Sequence, residues 1–135
     1  MPQKQYRAKT TKRQLVKSID MPLTVFITVD IIEIMENYIS KERPEPELRN
    51  ELDFNYEIIG HSVILNEIRP AWDNPKEILT RGFAKATHVK SKNVWKVFRK
   101  RADNKWHSYK PNPTVSNLED FLALVDFDEY GCFKG

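Results

Sequence analysis

Apolar positions follow a helical period early in the chain and a strand period after it. From Pro22 to Glu42 the residues Ile27, Ile31, Ile34, Met35, Tyr38 and Ile39 recur at helical spacing, with Asp30, Glu33, Glu36 and Lys41 on the other side. Pro22 suits a first helical position, and Arg43-Pro44 with Pro46 ends the run. The β-branched stretch Thr24 to Val29 weakens the helical tendency of the first two turns. Residues 1–20, rich in Gln, Lys, Arg, Thr and Ser and poor in apolar periodicity, read as a basic mobile tail outside a single domain over 21–135.

The period changes to two between Leu52 and Pro70. Two runs rich in Ile, Val, Tyr and Phe flank Gly60-His61, a two-residue turn in which Gly supplies positive φ. That turn sets Ile58 opposite Val63, Tyr56 opposite Leu65, Phe54 opposite Glu67 and Leu52 opposite Arg69. All eight share one face, and its apolar content makes it the buried one, so Glu67 and Arg69 point inward at the open end of the hairpin. The prolines and Asx residues of Arg69 to Pro75 predict a loop.

A third strand is expected over Ala84 to Val89, and a second hairpin over Val94 to Arg101 and Lys105 to Lys110 around Asp103-Asn104. In that register Lys100 faces His107 and Phe98 faces Tyr109, while Trp95, Val97 and Trp106 take the core side. Ser116-Asn117-Leu118-Glu119 has the form of a capping box, and Leu118, Phe121, Leu122 and Val125 give the next helix one apolar stripe. The expected fold class is α+β: an antiparallel sheet of two hairpins, four to five strands, flanked by an N-terminal and a C-terminal helix.

These residues and motifs resemble a family of small bacterial proteins, the domain-of-unknown-function family 3024. The likeness runs over Met21 to Gly135. It rests on Arg43-Pro44, Glu67-Ile68-Arg69-Pro70-Ala71-Trp72, Ala84 to Lys90, Trp95-Lys96-Val97, Arg101 to Tyr109 and Asp128 to Phe133. It departs from the family pattern at Ala71, Gly131 and Lys134. The resemblance implies a bacterial origin and a domain beginning near Met21, and it brings no activity, cofactor or set of site residues.

Charge alters the picture more than composition does. The 135 residues are 40% hydrophobic with a formal charge of +3, which fits one domain with a single core. The distribution is lopsided: residues 1–19 hold six cations and no acid, and Asp30 to Glu77 holds twelve acids against five cations. Residues 84–110 hold nine Lys and Arg, two Trp, one Phe, one Tyr and two His against one acid, Asp103. Such a segment is either a solvated face or a surface for a polyanion. Part of its charge could also be answered by the acidic half within the fold.

The candidate nucleic-acid-binding residues are therefore Lys96, Phe98, Lys100, His107 and Tyr109, with cations to meet phosphates and rings to stack on bases. The bland counterpart is a solvated strand pair whose rings cover an edge of the core. Nucleic acid and an acidic protein are the partners this chemistry fits. A protein-interaction module working through a sheet edge is a third possibility.

Catalytic candidates are Glu67, Arg69 and His107, with His61 as a second imidazole, because a carboxylate and a guanidinium on a core face must pair or work. They would form an acid and base around a pocket lined by Trp72, in a small hydrolase or nuclease. The competing reading is a structural salt bridge. Asp53, Glu67 and Lys85 follow the acid, acid, lysine order of restriction-type nucleases, but strand parity sets Asp53 and Glu67 on opposite faces. His61, His88, His107 and Cys132 lack zinc-type spacing, so no metal and no cofactor are expected. One cysteine allows no intrachain disulfide and points to the cytoplasm, with Cys132 a small core residue beside Phe133. The apolar run Pro22 to Val29 is too short to span a membrane.

Overall fold

A computed structural model describes residues 25–134. The expected basic tail and the Pro22 helix start lie outside the described residues. Helix α1 spans Val25–Glu42. Thr28, Ile31 and Met35 are buried, and Ile27, Ile34, Tyr38 and Ile39 pack beside them. Burial of that stripe outweighs the low helix propensity of the β-branched residues. The helix stops where Arg43 meets Pro44, since the residue before proline is pushed out of helical conformation. The Arg43 guanidinium then grips Asp53 through two parallel bonds, Nε to Oδ1 at 2.8 Å and Nη2 to Oδ2 at 2.6 Å. A short 3-10 turn at Pro46–Leu48 lies within that clasp.

Six antiparallel strands follow: β1 Asp53–Ile59, β2 Ser62–Pro70, β3 Ile78–Val89, β4 Val94–Lys100, β5 Trp106–Ser108 and β6 Thr114–Val115. Their spatial order is β1-β2-β3-β4-β5, with β6 also on β4, so that β5 and β6 share one edge of that strand. Helix α2, Leu118–Phe127, closes the chain. Both helices pack on one sheet face, where Val63, Leu65, Ala84, Ala86, Trp95 and Val97 join Ile31, Met35, Leu118, Phe121 and Val125 in one core. This is an α+β fold with helices at either end of an antiparallel sheet. Among the described residues no helix is long and apolar enough to cross a membrane.

The first hairpin has the expected register, with Ile58 opposite Val63, Tyr56 opposite Leu65 and Phe54 opposite Glu67. Gly60 takes φ +59° at the first turn position. The ladder stops at Asp53 opposite Ile68, so the Leu52–Arg69 pair falls just outside it.

Three departures matter. Strand β3 starts at Ile78, six residues before Ala84, because β2 runs on to Pro70 and the two pair all the way. A register shift at Leu65/Asn66 sets Leu65 opposite Ala84 and Asn66 opposite Gly82, leaving Phe83 as the extra residue of a bulge. Phe83 turns into the core and meets Phe54 edge-on at 6.1 Å.

The second departure corrects the expected second hairpin. Its loop has three residues, Ala102 to Asn104: Arg101 N donates to Lys105 O, Asn104 N donates to Arg101 O, and Asn104 sits at φ +61°. A turn followed by a left-handed residue is the usual three-residue solution. The ladder is displaced by one, giving Lys100 opposite Trp106, Arg99 opposite His107 and Phe98 opposite Ser108. A one-residue slip exchanges faces. Trp106 therefore leaves the core side, and Tyr109, whose N–H bonds Val97 O, enters it.

The third departure is at α2, whose cap is Asn117 and not Ser116: the Asn117 Oδ1 accepts from Asp120 N at 2.8 Å. The apolar stripe Leu118, Phe121, Leu122 and Val125 is buried as expected. After the helix, the Asp128 carboxylate accepts from Phe133 N and Lys134 N, which seats Phe133 against Tyr109 at 4.8 Å.

The three-residue loop is testable at its left-handed position. Asn104→Ala should cost about 1 kcal/mol in urea denaturation, because an ordinary side chain is strained there, whereas Asn104→Gly should cost nothing. Equal behaviour of the two variants would contradict this loop.

Candidate nucleic-acid interface

Because side chains alternate along a strand, packing both helices on one face turns the other face outward. Strand pairing aligns Ile64, Lys85, Phe98 and Ser108 across that outer face, with Gly82 beside Asn66 and Trp106 beside Lys100 in the next row. A Cβ at Gly82 would lie 3.1 Å from both Ile64 Cγ2 and Trp106 Cζ2, so the indole rests on the strand at the one position without a side chain. This cross-strand cover holds Trp106 half-buried.

Two ammonium groups sit on the rings. Lys85 Nζ lies 4.8 Å from the Phe98 centroid and 5.1 Å from that of Trp106, and Lys100 Nζ lies 4.9 Å from Trp106. Each contact contributes about 0.5–1 kcal/mol at a partly exposed site. Burial, and then the positive charge of Lys100, pushes the Lys85 ammonium below the ordinary lysine range. The charged form of Lys85 therefore opposes folding, and its cost fades as pH rises from that lowered value through the ordinary 10.5. Lys96 lies on the same face, exposed and opposite Thr87. At the far side Asn66, almost fully buried, donates to Asn55 Oδ1 and Glu57 Oε2.

The acidic half does not neutralise this segment. Among the described residues the ion pairs are Arg43–Asp53, Arg69–Glu67, Arg81–Glu67, His107–Asp103, Lys134–Glu42 and Lys134–Asp126. None involves any of the nine Lys and Arg between residues 84 and 110.

Of the sequence candidates, the structure brings Lys96, Phe98 and Lys100 onto the outer face. Tyr109 is 2% exposed and packed against Phe133 in the core, and His107 projects from the helix-side face of the sheet, opposite Arg99. His107 Nε2 pairs with Asp103 Oδ2 at 2.8 Å, and that hydrogen bond holds the Asp103 carboxyl below the usual range. Lys85 and Trp106 join the face instead. Trp106 is absent from the sequence candidates because a two-residue loop sets it on the core side, and Lys85 because its place beside Phe98 follows only from the pairing of β3 with β4.

Glu67, Arg69 and His107 do not form one cluster. Glu67, with its side chain 12% exposed, bridges Arg69 and Arg81 at 3.1 Å each, and the two arginine side chains are more than half exposed. Arg81 went unrecognised because it precedes the strand expected at Ala84. No hydrogen bond among the described residues links His107 to Glu67. Trp72 stands at the loop tip, 95% exposed. His61 is half-buried with Nδ1 unpartnered, and its carbonyl accepts from His88 N. Asp53 is held by Arg43 and shares the outer face with Lys85 but not with Glu67. Among the described residues no three His, Cys, Asp or Glu side chains converge as a metal site. Cys132 is half-buried against the core.

A family model described as "Domain of unknown function (DUF3024)" matches residues 23–135, and the chain belongs to that family. No curated protein and no solved structure matches it.

The electrostatic coupling on the outer face can be read directly. Lys100→Met removes a like charge while keeping length, so the Lys85 ammonium should titrate at higher pH, closer to an ordinary lysine, in NMR of labelled lysine side chains. Lys92→Met, in the loop between β3 and β4, should leave the Lys85 midpoint in place.

Proposed function

We propose that this DUF3024 domain binds single-stranded nucleic acid across the outer face of its sheet. Lys85, Lys96 and Lys100 meet the phosphates, and Phe98 and Trp106 offer ring surface to unpaired bases. The observation that carries this reading is the pairing of half-buried rings with lysines that no acid in the described fold neutralises. Ammonium groups resting on rings are already partly freed of water, and a phosphate can draw them off at small cost. A flat strand surface suits splayed single-stranded bases better than a duplex, whose bases are stacked and whose phosphates curve away. The six cations of residues 1–19 would add sequence-independent attraction. An acidic protein segment would satisfy the lysines but leave the rings without a stacking partner, which favours nucleic acid over that alternative. Tyr109 and His107 take no part in this version of the interface. Glu67 is read as a structural bridge between Arg69 and Arg81.

Fluorescence anisotropy with a labelled single-stranded oligonucleotide over a salt series tests this. Affinity should fall with salt, and each of Lys85→Ala, Lys96→Ala and Lys100→Ala should reduce the slope by about 0.7. Phe98→Leu should weaken binding by about 1–3 kcal/mol with the slope unchanged, because stacking releases no counterions. Absence of binding at low salt, or binding indifferent to all four substitutions, rules the reading out.

A further inference from the structure

Beyond the register shift, β2 and β3 outrun both of their neighbours and end as a two-stranded arm. On one side β1 reaches only to Asp53 opposite Ile68, and on the other β4 pairs with β3 only from Ala84 onward. The arm, Arg69–Pro70 paired with Ile78–Leu79, ends in a loop closed by Ala71 N donating to Glu77 O at 2.8 Å. That bond continues the same register, so Glu77 prolongs the ladder. Three large apolar side chains stand in solvent here: Trp72 at 95%, Ile78 at 58% and Leu79 at 45% exposure. Along Ile78 to Arg81 the backbone edge facing away from β2 has no strand partner among the described residues. An isolated two-stranded ribbon is marginal in water, and an unpaired apolar edge is a template for another strand.

The sequence of that edge fits its own copy. In an antiparallel pair related by a two-fold axis, a residue faces its own mate. With Leu79 on the axis, Leu79 meets Leu79 of the second copy, and Glu77 meets Arg81 on either side of it. All three residues lie on one face. On the opposite face Ile78 meets Thr80. The charge pattern is therefore complementary in this register, with an apolar centre between two pairs of opposite sign. We propose that the chain forms a homodimer by pairing the β3 edges of two copies, centred on Leu79. The arms then become the middle of one continuous sheet. A two-fold axis perpendicular to that sheet places the outer faces of both copies on the same side. The dimer does not depend on what those faces bind.

Sedimentation velocity of the full chain should show a concentration-dependent monomer–dimer equilibrium that weakens with salt. Leu79→Asp sets like charges opposite each other at the axis and should raise the dissociation constant at least about tenfold. It should leave far-UV circular dichroism unchanged, because Leu79 lies outside the core. Mild oxidation adds a test of register. Leu79→Cys places two thiols directly across the axis and should give a dimer whose disulfide maps to residue 79, whereas Thr80→Cys, whose counterpart is Ile78, should not. The unaltered chain, with Cys132 as its one thiol, supplies the background. A chain that stays monomeric at all concentrations would overturn the proposal. So would a dimer indifferent to Leu79→Asp, or cross-linking as efficient through residue 80 as through residue 79.

Discussion

Strand parity governs this molecule. One face of the sheet is buried under two helices and the other is not, so each residue's environment depends on whether its position in the ladder is odd or even. Two irregularities reset that count. The bulge at Phe83 lets two consecutive residues, Phe83 and Ala84, both reach the core, and it marks where β3 parts from β4. The left-handed Asn104 adds a residue to the second hairpin loop, sending Trp106 outward and Tyr109 inward. The composition of the outer face follows from these two positions as much as from the lysines themselves.

The outer face also shows how uncompensated charge is tolerated. Among the described residues the acids that form ion pairs do so elsewhere or with a histidine: Asp53 with Arg43, Glu67 with two arginines, Asp126 and Glu42 with Lys134, and Asp103 with His107. Lys85 and Lys100 rest on aromatic quadrupoles, which attract a cation without neutralising it. A cation held by a ring keeps its full charge available to an incoming anion. Lys85 bears the strain of this arrangement, since burial and Lys100 act on it in the same direction.

Legibility in the sequence varied with how many residues a feature needed. The first hairpin was readable because Gly60-His61 admits one short turn and the apolar alternation on both sides agrees with it. The apolar stripe of α2 was equally plain. The cap was not, because Ser116 and Asn117 both make good caps and each has an acid three residues on, Glu119 and Asp120. Asp103-Asn104 suits a two-residue turn by composition, and only long-range pairing reveals that Ala102 belongs to the loop. The start of β3 was hidden because Ile78 to Arg81 are exposed, so no burial-driven alternation marks them. Lys96, Phe98 and Lys100 emerged from the sequence because they lie on one strand. Lys85, Trp106 and Arg81 required knowledge of which strands are neighbours.

The bulge at Phe83 also divides the molecule into two levels of stability. On one side Val63, Leu65, Ala84 and Val97 are sealed between strands and helices, and exposing their backbone requires the whole core to come apart. On the other side the tip from Arg69 to Leu79 runs past both β1 and β4 and is held by its own ladder and by the Arg69–Glu67 ion pair. Such a segment can open and reclose as a unit while the domain stays folded. The arm can thus sample other conformations without putting the fold of the remaining sheet at risk.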